Sequence, residues 1–278
     1  WLAPAKINLW LRITGVREDG FHELDTAFAF LNFGDALAFA PHPTIEVEAD
    51  RGPSGEANLV HRVLAAFAAE VGAKEGLWVR IRKRIPIGGG LGGGSSDAAA
   101  ALLAANRLWG AHWPREALIE WAVRFGADIP CFLFGHAARA GGIGERLSPI
   151  RPPRGWVLVA HAGEMLDTGA VFASWDAMYR KGQAALKTPA APDSLPLGEN
   201  ALEAAACACS PRLASLLSAM RARGWQAWMT GSGACCVAWF ATREEAQRAE
   251  AELGDVAAWA KVARVEALHP QHQWAIGA

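Results

Sequence analysis

The sequence has little that would place it among exported, membrane or nucleic-acid-binding proteins. Its five cysteines are an odd number without paired CxxC spacing, which argues against a disulfide framework and a structural zinc site. No apolar run approaches the ~18 residues of a membrane span, and the first residues lack the layout of a signal peptide. The formal net charge of -1 gives no overall positive field. We therefore expect a cytoplasmic protein that binds neither nucleic acid nor membrane.

What the sequence does have is enough apolar material for a large core, since 52% of its 278 residues are hydrophobic. Strand and helix patterns mix without a regular βαβ rhythm, so we predict an α+β fold. A proline-containing stretch over residues 151–154 precedes a buried strand pattern at 156–161. We therefore predict two domains, residues 1–150 and 151–278.

Periodicity predicts most of the strands and helices of the chain. Residues 3–13 alternate, which predicts a half-buried strand with Ile7, Leu9 and Leu11 on the apolar face and Lys6, Asn8 and Trp10 on the other. An antiparallel meander of one or two further strands should follow, through residue 33. Other strands are predicted at 77–85, before 229, through 240 and at 262–268, and helices at 58–71, 97–109, 115–125, 201–208, 211–223 and 243–253.

A glycine loop at residues 86–96 lies between a predicted strand and a predicted helix. It reads Pro-Ile-Gly-Gly-Gly-Leu-Gly-Gly-Gly-Ser-Ser. Six glycines in seven positions remove every Cβ that would keep a ligand from the backbone, and they allow N–H groups to converge on one anion. The following helix adds its free N–H groups, with Ser95 or Ser96 as N-cap and Gly110 as C-cap. The loop therefore predicts a phosphate site.

Other readings of this loop fit less well. A dinucleotide-binding turn also shows G-x-G-x-x-G spacing, but it closes the first strand of a βαβ unit and needs an acidic residue about 20 positions on. A Walker A loop needs Lys-Ser/Thr after its last glycine, which is missing here. A plain tight turn or flexible linker is the remaining structural alternative.

Two further segments are singled out by proline and glycine. Pro130 disfavours helix at Ile129, which predicts that Asp128 lies in a bend. Residues 182–198 are rich in proline and alanine and predict a mobile loop.

Four blocks together resemble the GHMP kinases, and within them the kinases of 4-diphosphocytidyl-2-C-methyl-D-erythritol. The blocks are residues 4–9 (Pro-Ala-Lys-Ile-Asn-Leu), the glycine loop, residues 126–132 (Gly-Ala-Asp-Ile-Pro-Cys-Phe) and residues 230–235 (Thr-Gly-Ser-Gly-Ala-Cys). Residues 19–24 add to the likeness. The resemblance implies a two-domain fold, with a ribosomal S5 domain 2-like N-terminal ATP-binding domain and a ferredoxin-like C-terminal domain. It also implies ATP-dependent phosphorylation of the 2-hydroxyl of the methylerythritol unit in non-mevalonate isoprenoid synthesis.

The resemblance also implies roles for individual positions. Asp128 matches the family's catalytic aspartate and Lys6 its partner lysine, while Asn8 touches the methylerythritol part. His22 matches the cytosine reader, and Phe21 and Phe172 match the aromatic pair that encloses the base. The residues implied at the ATP site are Asn58, Lys83, Pro86, Ile87, Gly88, Gly89, Gly90, Leu91, Gly92, Gly93, Gly94, Ser95 and Ser96.

The chain departs from the family at two of these places. Phe21 stands where Tyr is common, which keeps the stacking face and loses a hydroxyl. Asp97 stands where some members have Asn. ATP should bring Mg²⁺, held mainly by phosphates and water, with Ser96 or Asp97 close enough to contact it.

Three other functions are considered. A GHMP kinase for another alcohol, such as homoserine or a mevalonate derivative, would ignore cytidine nucleotides. A silent nucleotide-binding protein would keep the loop without chemistry, and the presence of both Lys6 and Asp128 argues against it. A dinucleotide-dependent oxidoreductase fits the element order poorly. Ordinary roles also exist, since Asp128 could be a turn residue, Lys6 a surface lysine and His22 a loop histidine.

Overall fold

A computed structural model describes residues 1–191 and 194–271, which form an α+β arrangement. The strands of this part are β1 (Leu2–Val16), β2 (His22–His42), β3 (Glu46–Ala49), β4 (Gly76–Arg82), β5 (Ala138–Gly142), β6 (Arg146–Pro149), β7 (Trp156–His161), β8 (Glu199–Asn200), β9 (Ala227–Met229), β10 (Cys235–Phe240) and β11 (Trp259–Glu266). Its α-helices are α1 (Leu59–Val71), α2 (Gly93–Leu108), α3 (Arg115–Ala122), α4 (Ile129–Phe134), α5 (Thr168–Arg180), α6 (Glu203–Cys209), α7 (Pro211–Ala222) and α8 (Arg243–Leu253).

The strands join into one extended sheet in the order β3-β4-β2-β11-β7-β10-β9. The predicted meander is confirmed, because β1 pairs antiparallel with β2, which continues as a single strand beyond residue 33 to pair with β4. The last strand, β11, pairs with β7 along its length and with β2 at Leu31 and Phe30. The sheet of the N-terminal half is therefore continuous with that of the C-terminal half.

Three apolar clusters fill the two sides of this sheet. One cluster packs α1 to α4 against β2 and β4, and it includes Phe30, Phe67 and Phe132. A second packs α5 to α8 against β7, β9 and β10. The third lies between the halves and contains Trp10 and Trp228. The helices thus cover the sheet, and β1 contributes side chains to all three clusters.

The prediction that β1 is half-buried is wrong, since both of its faces are covered. Lys6, Asn8 and Trp10 were expected on a wetter face but are all buried. The alternating pattern cannot reveal this burial, because the cover comes from residues distant in sequence. The backbone N–H of Asn8 donates to Thr230, Trp228 donates to the Asn8 carbonyl oxygen, and the N–H of Lys6 donates to the carbonyl of Leu91 in the glycine loop. The polar side chains of this face are paired within the N-terminal half, since Asn8 donates to Thr26 and Lys6 lies 3.7 Å from Asp128.

Helix α2 begins earlier than predicted, and neither Ser95 nor Ser96 is its N-cap. The capping position is Gly92, whose φ of 71° lies in the left-handed region. Both serines lie inside the first turn, and the Ser96 hydroxyl donates to the carbonyl of Pro4 at 2.7 Å. At the other end the C-cap is Trp109, followed by Gly110 with φ of 66°.

Sequence periodicity missed two helices that matter to the site. Helix α4 starts at Ile129 with Pro130 inside its first turn, a position that proline tolerates, so the expectation that Ile129 is not helical is wrong. Asp128 lies in the turn just before it. Helix α5 went unpredicted although its buried residues Val171 and Trp175 have helical spacing and Asp167 caps its start. The Gly76–Arg82 strand has the expected exposed face with Arg80 and Arg82.

The predicted loop at 182–198 has no helix or strand in its described part, residues 182–191 and 194–198. It is nevertheless tied along β1, because Lys187 donates to Ile13 and Gly198 donates to Leu9 through their backbone N–H groups. Anchors of this kind oppose the predicted mobility.

No helix within residues 1–191 and 194–271 has both the length and the apolar character needed to cross a bilayer. All five cysteines are free, as expected from their spacing.

Candidate functional site

One large cavity of about 980 Å³ collects residues from both sides of the predicted boundary at 150. The glycine loop and the first turn of α2 form one wall, β1 and β2 form the floor, and α5 with residues 231–233 forms the opposite wall. The cavity brings together these residues predicted from the sequence: Lys6, Asn8, Phe21, His22, Asn58, Lys83, Asp128, Phe172 and residues 86–95. Ser96 is not among its lining residues, because its hydroxyl is buried against Pro4.

The glycine loop needs its glycines for conformation and for close approach. Gly88, Gly90 and Gly92 have φ values of 68°, 73° and 71°, a region that residues with a side chain rarely adopt. A Cβ on Gly90 would come within 2.4 Å of the Thr230 carbonyl oxygen. The loop is therefore pressed against residues 230–235, and the N–H of Cys235 donates to the carbonyl of Gly89 at 3.2 Å.

Gly94 is different, because the protein itself gives no reason for a glycine there. Its φ is not positive, and no atom lies within 4 Å of the position that a Cβ would take. It lies in the first turn of α2 and lines the cavity. Free space above the N-terminus of a 16-residue helix, with its unpaired N–H groups, suits an anionic group.

Lys6 and Asp128 face each other across the cavity floor. Their Nζ and Oδ2 atoms are 3.7 Å apart, and the lysine side chain is 5% exposed whereas the aspartate side chain is 53% exposed. Lys6 also donates to the Asn8 side-chain oxygen at 2.7 Å, and Asn8 donates to Thr26 at 2.8 Å. This chain of hydrogen bonds fixes the ammonium while the carboxylate stays open to a ligand.

The segment at residues 230–233 is part of the site, although the sequence analysis gave it no role beyond the resemblance. Gly231, Ser232 and Gly233 line the cavity, and the Ser232 hydroxyl is 2.8 Å from that of Thr168. Its Gly-Ser-Gly spacing was the available signal. The contact joins the second glycine-containing loop to the start of α5.

Lys83 is buried between two carboxyl groups rather than open to a ligand. Its ammonium donates to Asp35 and, at 2.6 Å, to Oδ2 of Asp97. Burial of Asp97, only partly offset by the charge of Lys83, raises the pKa of that carboxyl to about 7. Burial works to lower the pKa of Lys83, but the charges of Asp97 and Asp35 together raise it. Within the described residues, Oδ1 of Asp97 has no hydrogen-bond partner.

Asn58 has a structural task besides its place on the cavity wall. Its side-chain oxygen accepts from the N–H of Val60, which caps α1, and its side-chain nitrogen donates to the carbonyl of Pro53. These contacts hold the start of α1 next to the glycine loop.

His22 and Phe172 form the far end of the cavity, together with an acidic residue that the sequence analysis missed. Their ring centroids are 4.7 Å apart. The Nε2 of His22 lies 2.8 Å from Oδ1 of Asp176 on α5, and because a carboxylate only accepts, Nε2 carries the proton. Phe21 is 57% exposed at the cavity rim. The missing signal was the unpredicted α5, which places Asp176 one turn after Phe172.

Sequence comparisons agree with this arrangement. Residues 58–136 match the GHMP kinases N terminal domain, and residues 190–258 match the GHMP kinases C terminal domain. A 4-diphosphocytidyl-2-C-methyl-D-erythritol kinase of Nitrosospira multiformis is 41% identical over 98% of this chain and 93% of its own length. One from Alcanivorax borkumensis is 36% identical over 84% of this chain and 80% of its own length. The chain belongs to the 4-diphosphocytidyl-2-C-methyl-D-erythritol kinase family of GHMP kinases.

Solved structures agree with membership of this kinase family. A crystal structure of 4-(cytidine 5'-diphospho)-2C-methyl-D-erythritol kinase superposes with a TM-score of 0.77 and 33% identity, covering 96% of this chain and 98% of the other. A mevalonate kinase of L. major superposes with a TM-score of 0.69 at 16% identity, covering 96% and 95%. The second likeness shows the fold alone. The predicted α+β GHMP kinase fold is thus confirmed.

Proposed function

We propose that the chain transfers the γ-phosphoryl group of ATP to the 2-hydroxyl of 4-diphosphocytidyl-2-C-methyl-D-erythritol. The observation that carries this is one cavity with a glycine-lined anion site at one end, a histidine and aromatic side chain at the other, and the Lys6–Asp128 pair between them. A phosphate donor and a hydroxyl acceptor would meet at that pair.

In the proposed mechanism, Asp128 accepts the proton of the substrate hydroxyl. The hydroxyl oxygen forms a bond to the γ-phosphorus while the bond from that phosphorus to the β–γ bridging oxygen breaks, and ADP leaves. Lys6, 3.7 Å from Asp128, offsets negative charge on the transferring phosphoryl group. Asn8 accepts a hydrogen bond from Lys6 and so orients it.

The triphosphate would lie along the glycine loop, with residues 86–95 and the first turn of α2 supplying N–H groups. Asn58 and Lys83 lie next to this position. Ser96 would contribute to the phosphate site only through its backbone, because its hydroxyl donates to the carbonyl of Pro4.

The cytosine would lie at the other end. Because His22 donates from Nε2 to Asp176, its Nδ1 in the neutral ring is an acceptor, which suits the exocyclic amine of cytosine. Phe172 and Phe21 offer the two faces for stacking. The tyrosine hydroxyl common in the family is absent, so Phe21 contributes apolar contact alone.

A magnesium ion would accompany ATP and neutralise charge on the transferring phosphates. Among residues 1–191 and 194–271, no three acidic, histidine or cysteine side chains form a metal cluster. The unpartnered Oδ1 of Asp97, at the cavity wall, fits a single carboxylate contact beside phosphate oxygens and water. Ser96 does not fit as a magnesium ligand, because its hydroxyl already donates to the carbonyl of Pro4.

ADP release with ATP and this cytidine substrate, alongside homoserine and mevalonate, tests the proposal. We expect turnover with the cytidine substrate alone. Turnover with homoserine or mevalonate alone would contradict the proposed substrate but still show a kinase. No ADP release with any of the alcohols would contradict the proposed activity. The boundary at residue 150 and the cytoplasmic location stay predictions from the sequence.

A further inference from the structure

Asp35, Lys83 and Asp97 form a buried charged cluster at the base of the glycine loop. Asp35 lies on β2 and its side chain is 0% exposed, and the side chains of Lys83 and Asp97 are also buried. Asp35 does not line the cavity. It therefore cannot contact a ligand there and can act on the site only through its neighbours.

The cluster holds the loop at both of its ends. Oδ1 of Asp35 accepts from the backbone N–H of Arg84 and, at 2.8 Å, from that of Ile85, the two residues that enter the loop. Lys83 donates to Oδ2 of Asp35 and to Asp97, which directly follows the loop on α2. The Asp35 carboxylate thus joins the start of the loop to β2, and the Lys83 ammonium joins it to Asp97 at the end of the loop.

Such an anchor answers a physical need of this loop. Glycine loses more conformational freedom on ordering than any other residue, so six of them in seven positions make a fixed shape costly. Charge-assisted hydrogen bonds are stronger than neutral ones, and here they lie out of solvent, where screening is weak.

We propose that Asp35 is a positioning residue for the phosphate donor, and that Lys83 positions the loop rather than binding a phosphate. The inference rests on the proposed function for its kinetic consequence, because it assumes that ATP lies on the loop. Its structural consequence, a loop fixed before any nucleotide binds, is independent of function.

The test is Asp35→Asn, with Asp25→Asn as its matched control. Both aspartates are buried on β2, and each accepts from a cationic side chain and a backbone N–H; Asp25 does so from Arg139 and Ala190 and does not line the cavity. Asp35→Asn leaves one ammonium and one carboxylate, so no unpaired buried charge remains to prevent folding. If it fails to fold, Asp97→Asn cuts the link at the α2 end with the same charge balance, and hydrogen exchange of the loop alone is then the readout, because Asp97 is also the proposed magnesium contact.

Two measurements are made on each variant. Without nucleotide, hydrogen exchange at the amides of Arg84, Ile85 and Ser96 should speed up at least about fivefold in Asp35→Asn and stay unchanged in Asp25→Asn. In the kinase assay, KM for ATP should rise about tenfold in Asp35→Asn while KM for the cytidine substrate changes less than about twofold. Lys83→Arg, whose guanidinium can also span two carboxylates, should retain a KM for ATP close to that of the wild type.

The outcomes separate the two proposals. Unchanged loop exchange in Asp35→Asn, or equal loosening in both aspartate variants, would overturn the positioning role. An equal rise in KM for both substrates would also overturn it. A wild-type protein that neither binds ATP nor turns over, while Asp35→Asn alone loosens the loop, would support the anchor and overturn the proposed function.

Discussion

Asp128 and Lys6 have opposite surroundings, and this difference decides what each substitution should do. Asp128 is half exposed in a turn and makes few contacts that stability needs. We expect Asp128→Asn to lower kcat by about 10²- to 10⁴-fold, the usual contribution of a general base, with the free energy of unfolding changed by less than about 0.5 kcal/mol. ADP release and thermal melts measure the two effects, and full activity would remove the assignment.

Lys6 is buried, so its replacement should affect both properties. Lys6→Met leaves the Asn8 side-chain oxygen without its donor, which should cost about 1–3 kcal/mol of stability as well as turnover. Urea unfolding and ADP release would show this. A variant that is inactive yet fully stable would contradict the buried network described here.

Asp176 should control one substrate and not the other. Asp176→Asn removes the charge that holds His22, so KM for the cytidine substrate should rise about tenfold, a loss of about 1.4 kcal/mol, with KM for ATP unchanged. Asp167→Asn is the control, because Asp167 caps the same helix and asparagine caps equally well. An equal change in KM for the cytidine substrate in both variants would contradict the role of Asp176.

Asp97 should make stability depend on pH. Its raised pKa means that the folded state holds the proton more tightly than the unfolded state, whose pKa is near 3.8. The stabilisation is therefore complete below about pH 4 and lost as pH rises through about 7. Relative to Asp97→Asn, the Tm of the unmodified protein should fall across that window, and parallel melting curves would contradict the assignment.

At the scale of elements, the start of α2 was predicted only in part from the sequence. The glycine spacing correctly predicted a loop before a helix, but not that Gly92 itself caps the helix. Only glycine fits at this cap, because its φ is positive and a Cβ there would lie 2.8 Å from Phe132 and 3.2 Å from Lys6, two residues distant in sequence. Helix α4 was missed because it is short and starts around a proline. Helix α5 was missed although Val171 and Trp175 lie at helical spacing in its sequence.

The glycines of this turn should therefore respond differently to the same change. Gly94→Ala should keep or raise stability, by up to about 1 kcal/mol, because alanine favours helix and the added methyl meets no protein atom. The methyl would project into the cavity and raise KM for ATP. Gly92→Ala should instead destabilise, since its φ is 71° and its Cβ would lie 2.8 Å from Phe132. Melting curves and kinetics of the pair check this, and unchanged ATP kinetics in Gly94→Ala would argue against the phosphate site.

At the scale of the whole molecule, the site forms where the two halves meet. Periodicity predicted one buried and one exposed face for β1, yet Lys6 and Asn8 are both buried. Thr230 and Trp228 contact the backbone of Asn8, and Leu91 of the glycine loop contacts that of Lys6. No local pattern encodes such cover, because it comes from residues distant in sequence. The resemblance, by contrast, selected Lys6, His22, Asp128 and Phe172, which are far apart in sequence and all line one cavity.

The most direct measurement is a crystal structure with a non-hydrolysable ATP analogue and 4-diphosphocytidyl-2-C-methyl-D-erythritol bound together. We expect the triphosphate on the N–H groups of residues 88–95, the cytosine at His22, and the 2-hydroxyl within hydrogen-bond distance of Asp128. A nucleotide bound elsewhere, or a hydroxyl held away from Asp128 in the complete complex, would contradict the account.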